Sequence, residues 1–314
     1  MSPDGKRIAM DLVGVLWVLP APGGRARRLT GDLFDIAQPD WAPDGSAIAF
    51  QSYRTGSFDL WTIRPDGSGL RKLTSGPFDH REPRYSPDGR ALAFSGDRGG
   101  SYGIHRLDLA SGAISTITDT SLEEYEPAWS PDGTRIAFVV ANTRIDVVSL
   151  VTGARSTRVE APAGQVIHGP EWTPDGSGIL YQVTLDGRSE LWRDGRPEIT
   201  GEEVFPFRVS FGPGGEHFGY GSDGVIHRRA LGSASRSAIG FSAAVTLTTP
   251  DYRKRRRDFT SPQPRPVLGI GSPVLSPDGQ SVAFRALNDI WTMRIGQPPR
   301  PLTKNPTWWK SDPA

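Results

Sequence analysis

The side chains best placed to do chemistry gather in four short segments of one design. They are "FDIAQP" with Asp35, "FDHREP" with Asp79, His80 and Glu82, "LEEYEP" with Glu123, Glu124 and Glu126, and "VIHGP" with His168. Arg54 in "YRTG" and Arg98 in "DRGG" stand in loops of a second kind. Carboxylates and imidazoles brought together beside guanidinium groups can hold a cationic group, a peptide end or a metal ion. The same residues can instead satisfy loop amides and pair with the arginines. Composition leaves both uses open, so what matters is whether the chain carries these segments to one place.

No recognised catalytic constellation accompanies them. The five histidines, His80, His105, His168, His217 and His227, form no His-X-His or His-Glu-X-X-His pair. There is no P-loop, and neither a Gly-X-Ser-X-Gly elbow nor a Gly-X-Gly-X-X-Gly stands between a strand and a helix, the setting those motifs need. The chain has no cysteine, which removes thiolate ligands, thiol nucleophiles and disulfides. A noncatalytic role, with no cofactor or metal held by this chain, is the expectation.

The elements that must position the segments repeat. "SPDGKRIAM", "APDGSAIAF", "SPDGRALAF", "SPDGTRIAF", "TPDGSGILY", "GPGGEHFGY" and "SPDGQSVAF" place turn prolines at 3, 43, 87, 131, 174, 213 and 277, with spacings of 40, 44, 44, 43, 39 and 64. In Ser-Pro-Asp-Gly the proline presets φ for a type I turn, Ser and Asp bond nearby amides, and Gly accepts positive φ. The alternation after each turn is that of a strand, with Ile136 and Phe138 on one face and Ala137 on the other. A period near forty built from strands predicts an all-β propeller of four-stranded antiparallel blades, six or seven in number. Trp41, Tyr85, Trp129, Trp172 and Phe211 precede the turns and are expected between blades. The loops leading into each blade share one end of such a ring, which would bring the four segments to the mouth of the central channel.

The bulk numbers agree with this reading. Thirty-six basic residues against thirty-five acidic ones give a formal charge of +1, which argues against a nucleic-acid-coating protein. Thirty-seven glycines and twenty-eight prolines fall at repeat boundaries, as many short strands require. "MSPDGKRIAM" has no apolar signal-peptide core, and no apolar run reaches membrane-spanning length. No membrane insertion is expected.

The regularity breaks twice. The sixth copy reads "FGPGG", with Gly214 in place of Asp and Val209 in place of the proline found four residues before the other turns. Between Pro213 and Pro277 about twenty extra residues include the basic run Arg253 to Arg257 and the proline-rich "SPQPRP". The expected division is therefore blades one to six over 1–250, a linker or insertion over 251–266, and a seventh blade over 267–314. That last blade either closes the ring, with "KSDPA" supplying the first strand of blade one, or begins a following propeller.

The Trp-Ser-Pro-Asp-Gly repeat resembles the TolB-like propeller family over nearly the whole chain. The passage "RKRRRDFTSPQPRPVLGIGSPVLSPDGQSVAFRALNDIWTM" further resembles the junction between propeller segments of large metal-dependent amidohydrolases. Tricorn-like and prolyl-oligopeptidase-like proteins carry similar blades. The resemblance implies a binding or gating module that is the N-terminal propeller portion of a larger exported or periplasmic hydrolase. Its partner would be a covalently following hydrolase domain, where any metal would reside. The competing expectation is a self-contained TolB-like interaction propeller that binds a protein or peptide.

Overall fold

The repeat begins with its turn, and the hydrogen bonds explain the sequence. In Ser130–Gly133 the Gly133 N–H donates to Ser130 O at 2.8 Å, and the Ser130 hydroxyl donates to Asp132 Oδ1 at 2.5 Å. Asp132 Oδ1 also accepts the Thr134 N–H at 3.0 Å, while Ser130 Oγ accepts the Arg135 N–H at 2.9 Å. Gly133 has φ of 70°, a conformation that glycine adopts without strain. One Ser-Pro-Asp-Gly thus closes the hairpin and satisfies its own polar groups.

The computed structural model describes residues 1–31, 35–245, 263, 267, 269–304 and 310, which fall in two units, Met1–Thr246 and Leu247–Ala314. Strands and turns, with no helix, make up the described residues. Unit one holds six antiparallel sheets. Blade one has three strands in order, Arg7–Leu12, Val15–Pro20 and Arg27–Arg28. The inner strands of blades two to six are Ala37–Trp41, His80–Tyr85, Glu124–Trp129, Val166–Trp172 and Ser210–Phe211, each followed by three more strands in simple meander order.

Successive turns interlock. Pro3 lies against Gly45, Pro43 against Gly89, Pro87 against Gly133, Pro131 against Gly176 and Pro174 against Gly215. The circle is completed by Pro213 of blade six, whose Cγ would sit 2.7 Å from a Cβ on Gly5 of blade one. At the outer edge the chain leaving blade six pairs in parallel with blade one, Phe241 opposite Gly24 and Ser242 opposite Arg25. The Gly24 N–H donates to Gly240 O and the Ala26 N–H to Ser242 O. Unit one is therefore a six-bladed ring joined to itself at both radii.

The large-small-large order of the second strands fills the spaces between blades. Ile136 and Phe138 pack toward Ala93 and Ile104 of blade three, whereas Ala137 packs toward Trp172 and Ile179 of blade five. Ala49, Ala93 and Ala137 are fully buried, as close approach of twisted sheets requires. The pre-turn tryptophans reach back one blade, with Trp129 Nε1–H donating to Arg84 O and Trp172 Nε1–H to Ala128 O, each at 3.1 Å. The threonines two residues past the last strand of blades one to three also have a use: the hydroxyl oxygens of Thr30, Thr74 and Thr118 accept the amides of Leu16, Leu60 and Ile104 on the strand before it.

Unit two contains one four-stranded sheet, Gly271–Leu275, Ser281–Ala286, Asp289–Arg294 and Arg300–Pro301. Leu275, which holds the position of Trp129 and Trp172, is 57% exposed, against 4% for Trp172. Residues 251–262, which carry the basic run, and the "SDPA" end lie outside the described residues.

Candidate functional site

Every complete inner strand carries a bulge at the residue before its proline. Ala37 pairs with Gln51 and Asp40 with Ala49, so one residue is in excess, and the same shift recurs in blades three, four and five. Gln38, Glu82, Glu126 and Gly169 absorb it with φ of 57°, 57°, 53° and 57°. A bulge re-aims a side chain, and here consecutive blades join through the re-aimed residues. Gln51 Oε1 accepts the Glu82 N–H at 2.8 Å, and Glu82 Oε2 accepts the Glu126 N–H at 2.6 Å and the Ser95 hydroxyl at 2.8 Å. Glu126 Oε2 then accepts the Gly169 N–H at 2.6 Å. His168 Nδ1 lies 3.9 Å from that same oxygen.

The electrostatics of this mouth are unbalanced. Burial, reinforced by the neighbouring Glu82 charge, pushes the Glu126 carboxyl up to about 8. Burial lowers the His168 imidazole below its ordinary value, so it is not a ready counter-charge. Gln182, fully buried on the adjoining strand, has no hydrogen-bond partner for either amide atom among the described residues.

A second layer consists of salt-bridged groups. Arg208 of blade six donates to Asp40 and, at 3.1 Å, to Pro39 O, and its Nη1 lies 3.4 Å from Glu171 Oε2. Asp40 Oδ2 also accepts the Tyr85 N–H at 2.8 Å, and Arg84 donates to Gln38 Oε1 and Pro83 O, each at 3.0 Å. Burial, with Arg208 adding to it, lowers Arg84 to about 10. Burial also raises Glu171, against the pull of Arg208 and Arg84. Arg208 thus links blade six to blade two past the three-stranded blade one.

Of the residues singled out in the sequence, the fold brings Glu82, Glu126 and His168 together. His80 and Glu124 go elsewhere because the position three residues before the proline faces a neighbouring blade. Ile36, His80, Glu124 and Ile167 occupy it, and all are buried. His80 packs edge-on to Phe94 with Nδ1 3.8 Å from Asp59, and burial lowers its pKa despite that carboxylate. Glu124 pairs with Arg155 at 2.6 Å, out along the sheet of blade four. Asp79 serves loop amides and a local pair, accepting from Phe58 N–H, Arg81 and Tyr102. Burial alone would raise its carboxyl, but these donors outweigh it and hold it low. Asp35 and Glu123 are exposed, Glu123 accepting from the Tyr125 hydroxyl. Arg54 and Arg98 are exposed over the rings of Trp61 and Phe78, each at 5.8 Å.

The meander blades and the turn repeat coincide with a family model, the TolB beta propeller domain, which matches residues 1–200. The chain belongs to the TolB β-propeller family. Among solved structures it is similar to TolB from Acinetobacter baumannii, at 23% identity and TM-score 0.54 over 62% of this chain and 51% of that one. Putative TolB from Agrobacterium tumefaciens gives 26% identity and TM-score 0.50, over 58% of this chain and 72% of that one. A chain of a nidogen/laminin complex gives TM-score 0.61 at 11% identity, over 74% of this chain and 93% of that one, a likeness of fold alone. The chain spans about half the length of the Acinetobacter TolB. The curated proteins gave no match.

Sequence reading missed Gln38, Asp40, Arg84, Glu171 and Arg208. The signal was available in the TolB repeat itself. Residues before the proline position run Gln38, Glu82, Glu126, Gly169, Arg208, and those after it run Asp40, Arg84, Ala128, Glu171, Ser210. Aligned by blade, the two columns hold most of the channel's charge. Among the described residues no group of three His, Asp or Glu side chains could hold a metal ion.

Proposed function

We propose that this TolB-family propeller is a noncatalytic binding module that receives a cationic segment of polypeptide at its channel mouth. The observation that carries the proposal is the half-buried pair of Glu82 and Glu126, joined where Glu82 Oε2 accepts the Glu126 N–H, from which an incoming cation would displace the Glu126 proton. Its setting supports a protein partner. Phe205 and Phe207, in the loop leading into blade six, are 51% and 55% exposed and stack at 6.0 Å. Leu122, leading into blade four, is 42% exposed. Exposed apolar groups rimming a polar pocket are typical of an interaction face.

Selection of a displayed random peptide library on the full chain tests this, with counter-selection on Glu82→Gln/Glu126→Gln. Enriched peptides should carry Lys, Arg or a free amine and bind the double variant at least about tenfold more weakly, a loss of about 1.4 kcal/mol. Peptides that bind both chains equally would remove the mouth from the proposal.

The junction resemblance supports a finer reading, in which the module gates a hydrolase domain on the same exported polypeptide and any metal belongs to that domain. The lone blade of unit two favours it. Leu275 and Leu302 are 57% and 64% exposed, whereas the matching apolar positions of unit one are half-buried or buried. Unit two would then begin a second propeller. The self-contained alternative is favoured by the ring closing within unit one.

A further inference from the structure

The opposite end of the ring, where the Ser-Pro-Asp-Gly turns lie, has an independent feature. Two of its tryptophans are capped by an arginine from the preceding blade. Arg7 of blade one lies over Trp41 of blade two at 5.0 Å, and Arg135 of blade four over Trp172 of blade five at 4.5 Å. Both arginines are the second residue after their turn glycine. In blade three that residue is Ala91, so Trp129 of blade four receives no such cap.

A cleft of about 300 Å³ lies there, between the turns of blades three and four, lined by Trp129, Pro87, Leu150, Asp88, Asp132 and Arg106 among others. Trp129 is already fixed. Its indole N–H donates to Arg84 O, and the ring packs on the cluster of Ala93 and Ile136. The two aspartates are held ionised by their turns. Hydroxyl and amide donors to Asp132, led by Ser130, lower it to about 2, and Ser86 with the Arg90 amide lowers Asp88. The donors to Asp88 use Oδ1, leaving Oδ2 without one among the described residues. Arg106 is paired across the sheet with Ala93, where blades one and four place Val18 and Val147. It makes no ion pair among the described residues. Arg135 Nη2 lies 3.8 Å from Asp132 Oδ2, so the carboxylate oxygen left to an incoming cation is Asp88 Oδ2.

We propose that this cleft binds an arginine side chain of a partner protein, which takes over Trp129 the place that Arg7 and Arg135 take over Trp41 and Trp172. The cation would gain the indole face and the Asp88 carboxylate together. Arginine is favoured over lysine because a planar guanidinium both stacks and donates in a fork. Arg106 opposes the binding, so the site is weak for an isolated side chain and depends on further contacts of the partner.

The test is solution NMR on the full chain with isotope-labelled tryptophan, the Trp129 indole resonance being assigned with Trp129→Phe. N-acetyl-arginine amide should shift it saturably with Kd on the order of 1–10 mM. The uncharged isostere N-acetyl-citrulline amide should bind at least roughly tenfold more weakly. Ala91→Arg, which supplies the cap in cis, should abolish the response, and Arg106→Val should tighten binding severalfold. Should Ala91→Arg fail to fold, Asp88→Asn on the exposed turn should weaken binding about threefold. An absent saturable shift, an equal response to citrulline, or wild-type binding by Ala91→Arg or Asp88→Asn would overturn the proposal.

Discussion

Glu126 is the side chain in which fold and function meet most closely. Its left-handed backbone costs about 1–2 kcal/mol relative to an ordinary strand residue. Its carboxylate is used to hold the Gly169 amide of the next blade. A carboxyl whose folded pKa is raised contributes stability that is fully present below its ordinary value of 4.5 and is lost as pH rises toward about 8. Glu126→Gln keeps an acceptor for Gly169 and cannot ionise. The variant should therefore match the native chain near pH 4 and exceed it above pH 8 by about 1–2 kcal/mol, or a few degrees in Tm. Thermal melts across that range check it, and parallel curves would show that burial of Glu126 does not govern its charge.

The blades were readable from the sequence because turn chemistry and alternation act locally. Pro and Gly fix the hairpin, and Ile136, Ala137 and Phe138 divide between two interfaces by strand geometry alone. The candidate site was only partly readable, for a physical reason. A bulge adds one residue and reverses the alternation, so Glu82 and Glu126 turn to the mouth while His80 and Glu124 turn to the blade interfaces. Arg208 escaped notice because blade six has Val209 where the marker proline should stand. The outer closure was hidden too, since the pairing of Phe241 with Gly24 joins residues at opposite ends of unit one. It depends on Gly23, with φ of 103°, where a Cβ would collide with Gly240 O. Gly23→Ala should destabilise unit one by about 2–3 kcal/mol through strain and lost pairing. An unchanged melting curve would mean that the ring is held by its inner contacts alone.

Taken as one molecule, unit one has two polar features at opposite ends of a closed ring, and blades three to five all contribute to the mouth. Glu82 comes from blade three, Glu126 from blade four, and Gly169 with Gln182 from blade five. Phe205 and Phe207 come from the loop before blade six. Such a site exists only when the ring is assembled, which makes binding there a property of the whole propeller. The most direct measurement is calorimetric titration of a selected cationic peptide near pH 7 in two buffers of different ionisation enthalpy. Because Glu126 holds a proton at that pH, binding of the cation should release between about 0.3 and 1 proton per peptide and tighten as pH rises toward 8. Binding with no proton release and no pH dependence would contradict a cation seated on the Glu82–Glu126 pair.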